Sequence, residues 1–216
     1  MKILQFGEFV ESYSFPVLNE REIRAAAGII FLFMFLSFLL CILTGNFVML
    51  KYVITIFLAD LIIRVFINPR FSPSLILGRI IVQNQVPEYV GAKQKKFAWI
   101  IGICMGAPVF VFQVLLNAKS PITGITCMIC MMFLFFEASF GICLGCKFYP
   151  LFFKNKAEFC AGEICDKKLK QEIQRISKTQ VIALFVFIIL IILTAYFANE
   201  FYLQKPYDLF GVYEEK

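Results

Sequence analysis

The sequence contains no histidine, which removes the commonest metal ligand and the usual general base at neutral pH. No internal repeat or low-complexity linker interrupts it. The first apolar run has no small-residue cleavage site after it, and the 24 residues before it carry Glu8, Glu11, Glu20 and Glu22, a poor fit to a removable signal peptide. No surface of interleaved basic and aromatic residues is evident, so the net charge of +6 does not point to nucleic acid. Its cations flank apolar segments, where they set orientation and meet anionic headgroups.

Apolar residues are abundant. They make up 60% of the 216 positions, with a mean hydropathy of +0.80, against about 45–50% in soluble domains. The 27 phenylalanines are spread through long blocks. Residues 25–44 hold no charge, and twenty helical residues span about 30 Å, the thickness of a bilayer's hydrocarbon core. Further blocks at 47–66, 97–116, 122–146 and 181–198 predict an all-α membrane bundle of about five transmembrane helices. Ser72-Pro73 opens a sixth helix, 74–83, too short to cross and so interfacial or re-entrant. Trp99 suits the headgroup level, as do Tyr202, Tyr207 and Tyr213 in the tail.

Five spans place the connecting segments alternately on two sides. Seventeen lysines and arginines then fall on the side of the N-terminus and only Lys51, Lys119, Lys205 and Lys216 on the other. This bias predicts an inner, cytoplasmic membrane protein with its N-terminus in the cytoplasm and its C-terminus outside. The organisation expected is a cytoplasmic segment 1–24, a four-helix membrane domain 25–146, a basic cysteine-containing loop 147–178, a fifth helix 179–198 and an extracytoplasmic tail 199–216. Leu169, Ile173 and Ile176 are spaced in that loop as on an amphipathic surface helix.

Charges inside a span cost about 2.5–3.5 kcal/mol each on insertion scales, so Asp60, Arg64 and Glu137 need a role. Asp60 and Arg64 are four apart and can pair on one helix face. Counted inward from the span ends, Asp60 and Glu137 lie at one depth, about 10 Å. Arg64 is therefore expected to bridge the two carboxylates, with Arg79 of the short helix as a second partner. Two roles stay open: an anion or proton site facing the cytoplasm, or a neutralised clamp between helices.

Eight cysteines are present. Cys41 and Cys104 read as small packing residues. Cys127 and Cys130 form a C-x-x-C pair in the fourth span, and Cys143 and Cys146 repeat it at the inner end, followed by Cys160 and Cys165. On a continuous helix Cys130 and Cys143 would point about 220° apart, which disfavours a thiol wire across the membrane. The inner four, with five lysines from Lys147 to Lys168 favouring thiolate, form the stronger candidate site. In a reducing cytoplasm they fit thiol redox or persulfide transfer. A four-thiolate zinc site or an iron–sulfur cluster would use all four; a structural disulfide is the remaining alternative.

Several short motifs, Asn19-Glu20-Arg21 with Arg24, Pro69-Arg70-Phe71-Ser72-Pro73, Lys96-Phe97-Ala98, Glu137-Ala138-Ser139 and Cys143-Leu144-Gly145-Cys146 with Tyr149, resemble an uncharacterised bacterial membrane family, domain of unknown function 4395. The resemblance runs over about 17–166, with Cys160 and Cys165 as its closing pair, and leaves the fifth helix outside. It implies a fold and no activity. The function expected is thiol redox, reduced-sulfur handling or transport at the cytoplasmic face, with the bilayer and a thiol or sulfur carrier as partners. The alternative is a non-catalytic subunit docked to other membrane proteins.

Overall fold

The computed structural model describes residues 6–10, 15–144 and 176–208. Among the described residues the chain is all-α, with four helices long and apolar enough to cross a membrane. They are α1 (Glu20–Thr44), α4 (Ala92–Phe110, continued by a π turn Val111–Leu115), α5 (Pro121–Phe140) and α6 (Lys178–Phe197). Between α1 and α4 lie α2 (Val48–Ile62), extended by a π turn Ile63–Ile67, and the short α3 (Pro73–Val82). With its extension α2 is as long as α5, but it carries Lys51, Asp60 and Arg64. A last short helix, α7 (Asn199–Leu203), follows α6.

Side chains and prolines start these helices where the sequence changes character. Asn19 accepts from the Arg21 N–H to cap α1, Ser72 caps α3 ahead of Pro73, and Ser120 caps α5 ahead of Pro121. Serine and asparagine satisfy first-turn N–H groups, and proline there loses no hydrogen bond. The Asn19 cap starts α1 five residues before the uncharged run, so Glu20 and Glu22 enter the bundle as buried residues. Likewise α4 begins at Ala92, which brings Lys95 inside. Ser177 and Gln180 form a reciprocal capping box on α6.

Two small pairings tie the ends of the bundle. The strands β1 (Val17–Asn19) and β2 (Tyr89–Gly91) pair antiparallel at one end, while β3 (Ala118–Lys119) and β4 (Tyr207–Asp208) pair in parallel at the other. The segments that alternating spans put on one side therefore meet. At the β3–β4 end Lys51 is buried, and its Nζ donates to Asn117 Oδ1 at 2.6 Å and to the carbonyls of Tyr202 and Gln204 at 3.4 and 2.8 Å. Carbonyls near the end of α7 suit a cation. Tyr202 stacks on Tyr52 with ring centroids 4.5 Å apart and is buried, a packed position in place of the interfacial one expected.

The core is shared by α1, α2, α4 and α5, with α3 wedged against the first turns of α1. That wedge depends on Gly78: a Cβ there would lie 2.5 Å from the Glu22 carbonyl oxygen and 3.1 Å from the Ala26 nitrogen. Gly78→Ala is expected to force the two backbones apart at a cost of about 1–3 kcal/mol. Thermal unfolding of the detergent-purified chain, followed by circular dichroism, should show a lowered midpoint. Gly124→Ala, where a Cβ meets nothing within 4 Å, should not; equal midpoints would refute the close packing.

Candidate functional site

At the β1–β2 end, Asp60 and Arg64 stand one turn apart on α2, with Arg64 Nε 2.8 Å from Asp60 Oδ2. Asn68 caps a 3₁₀ turn, Pro69–Phe71, that reverses the chain and delivers the start of α3 onto this pair. Ser72 Oγ donates to Asp60 Oδ1 at 2.7 Å, and the Ser74 N–H and Oγ donate to Oδ1 and Oδ2 at 3.1 and 2.6 Å. Arg64 returns hydrogen bonds from Nε to Ser72 Oγ and from Nη2 to Ser74 Oγ, at 3.2 and 2.5 Å. Both charges are almost fully buried, at 1% and 3% exposure, and each is compensated by a partner and by hydroxyls. The Arg64 guanidinium also lies 5.1 Å from the centre of the Trp99 ring.

The expected Arg64 bridge to Glu137 is not made. Glu137 Oε1 instead accepts from Lys95 Nζ at 2.8 Å, and the same Nζ lies 2.7 Å from Glu20 Oε2. The early start of α4 supplies this nearer cation, while the donors Nε and Nη2 of Arg64 serve α2 and α3. Arg79 pairs neither with Asp60 nor with Glu137. It lies 3.0 Å from Glu22 and 3.5 Å from Glu8, beside a small pocket that reaches Gln180 of α6. Matched depth along two helices was correct grounds for proximity, but depth carries no information about azimuth.

The fourth span also ends sooner than the apolar run. Gly141 takes a left-handed φ of 67° and its N–H bonds to the Glu137 carbonyl, while the Ile142 N–H reaches the Phe136 carbonyl. This Schellman reversal stops α5 at Phe140, six residues before Cys146. It also cancels the helical-wheel argument for the cysteines, because 100° per residue does not continue through a left-handed glycine. Cys130 and Cys143 line one pocket between α1, α2, α4 and α5, together with Arg64, Trp99 and Glu137.

Trp99 is therefore part of this site and not a headgroup anchor; it is 3% exposed, and its indole N–H has no hydrogen-bond partner among the described residues. Lys95, Glu20, Ser72 and Ser74 complete the polar framework and had no distinguishing sequence signal beyond their types: a flanking lysine, a leading acid and a helix-starting serine pair. Cys146, Cys160 and Cys165 lie outside the described residues. Among the described residues no group of three or more metal-ligating side chains gathers, so a zinc or iron–sulfur site would have to draw on those three. Cys127 is buried in the core.

The fold and these neutralised charges define a polytopic α-helical membrane protein. The chain belongs to the DUF4395 family, a domain of unknown function whose model matches residues 18–154. The match covers α1 through α5 and stops short of α6. No curated protein and no solved structure matches the chain.

Proposed function

We propose that the chain is a membrane-embedded thiol protein of the cytoplasmic membrane, with the β1–β2 end facing the cytoplasm and the C-terminus outside. Cys143 is the leading reactive thiol, and Cys146, Cys160 and Cys165 are its exchange partners in carrying redox equivalents or reduced sulfur. The observation that supports this reading is the placement of Cys143 at the wall of a cavity that also holds Arg64 and Glu137. In thiol–disulfide exchange the Cys143 thiolate would attack a substrate disulfide, releasing one thiolate. A second cysteine would then resolve the mixed disulfide, releasing the other. The Asp60–Arg64 pair acts as the clamp that positions this end of α2 against α3, since both charges are already satisfied within the bundle.

Maleimide labelling in native membranes with mass-spectrometric readout tests the reading. Cys143 should react at least about tenfold faster than buried Cys127 and Cys130, because reactivity follows access and thiolate character, and persulfide trapping should mark one of the four inner thiols. Uniformly inert inner cysteines would remove the proposal.

A second reading, a non-catalytic subunit of a larger assembly, is supported by α6, of which only 6% of the apolar span is buried in the bundle. Native purification separates the two: a stoichiometric partner favours the subunit, and an isolated chain with reactive thiols favours the first.

A further inference from the structure

We propose that residues 199–208 form a releasable strap that fastens α6 to the β3–β4 end of the family domain, with the Lys51 ammonium as its lock. The device stands apart from the thiol reading, whose leading residue, Cys143, follows the far end of α5.

Little besides polar contact holds this segment down. The helix α7 is five residues long, too short to be stable as a helix by itself. Within 199–207 Tyr202 and Pro206 are buried, whereas Phe201, Leu203 and Tyr207 are exposed. The covered side of α6 is a single stripe through Gln180, Leu184, Phe187, Ile191 and Ala195. A segment with so few buried apolar contacts opens locally at a small fraction of the cost of unfolding the bundle.

The lock is a match between one side chain and main-chain oxygens. Lysine carries three donors, and Lys51 places them on Asn117 Oδ1, the Gln204 carbonyl and, at longer range, the Tyr202 carbonyl. Two of these acceptors belong to the strap, near the carbonyl end of α7, where a cation is favoured. Asn117 binds on both sides. Its Oδ1 accepts from Lys51, its Nδ2 donates to the Lys205 carbonyl at 2.6 Å, and its carbonyl accepts from the Tyr207 N–H at 2.7 Å. One turn deeper in α2, Thr55 Oγ1 meets the Tyr202 hydroxyl at 3.1 Å.

Release is feasible because nothing is stranded by it. When the strap lifts, water at that end takes the places of the two carbonyls on Lys51, so its donors stay paired. The same movement bares a cation that the closed strap holds at 1% exposure. It leaves α6 to its stripe and to the bond at its other end, where Gln180 Nε2 donates to the Arg70 carbonyl at 3.0 Å.

Hydrogen–deuterium exchange of the full chain in nanodiscs, read by mass spectrometry, tests the device. In the parent, strap amides should exchange more slowly than unprotected amides but at least about a hundredfold faster than those of residues 54–61 in α2, as opening without unfolding requires. Lys51→Met should speed the strap by a further factor of about ten and leave 54–61 unchanged. Asn117→Gly is the second variant, usable where Lys51→Met does not fold. It removes the Asn117 side-chain bonds while glycine accepts the left-handed φ of 50° found there, and it should speed the strap in the same selective way. Strap amides as slow as those of 54–61, or as fast as unprotected ones, would overturn the proposal. So would a strap that neither variant moves, or an acceleration shared equally with 54–61, since Lys51 would then support the bundle and not the strap.

Discussion

Asp60→Ala is expected to remove most of the folded protein. The substitution leaves the Arg64 guanidinium at 3% exposure without its carboxylate, and it deprives Ser72 Oγ, Ser74 Oγ and the Ser74 N–H of their shared acceptor. Breaking a buried ion pair from one side costs about 3–5 kcal/mol, a large part of the roughly 5–15 kcal/mol that holds a typical domain. Size-exclusion profiles of detergent extracts should show aggregated or absent protein. The double variant Asp60→Ala with Arg64→Met should recover a monodisperse peak, since apolar replacement of both partners removes the uncompensated charge. A single variant that behaves as the parent would show that Asp60 is not a clamp and would return it to the list of functional residues.

Lys95→Met is expected to be comparably severe, for a different reason. Lys95 is 3% exposed and is the cation shared by Glu20 of α1 and Glu137 of α5. Without it two carboxylates face each other across three packed helices, at a cost again of about 3–5 kcal/mol. Adding Glu20→Gln and Glu137→Gln to Lys95→Met should restore much of the thermal midpoint, because the repulsion and the desolvated charge both disappear. If the triple variant is no more stable than Lys95→Met alone, the lysine acts through packing of its stem and not through charge.

Run length and charge placement made the helices legible in advance. Residues 25–44 and 181–198 read as spans because their apolar runs match bilayer thickness; α1 contains the first, and α6 contains all of the second but Ala198, its C-cap. The pairing of Asp60 with Arg64 was legible too, since four residues on a helix place two side chains on one face. The partner of Glu137 was not. Choosing between Arg64 and Lys95 needs the azimuths of three helices about their own axes, and α4 carried Lys95 inward only because it starts at Ala92, ahead of the uncharged run.

Cys143 illustrates the same limit at a single residue. Extending α5 through the apolar run to Cys146 turned the two cysteine pairs apart, whereas Gly141 reverses the chain and brings Cys143 to the cavity wall that Cys130 also lines. Glycine at that position is compatible with helix in an apolar context and with a left-handed cap, and local composition does not choose between them. By itself the sequence determined that this chain is an all-α membrane protein, because lipid demands long apolar helices and leaves charges few places to go. Only the tertiary structure decided which charges neutralise which and which thiols share a space, because those outcomes depend on helix rotation and termination, which close packing sets.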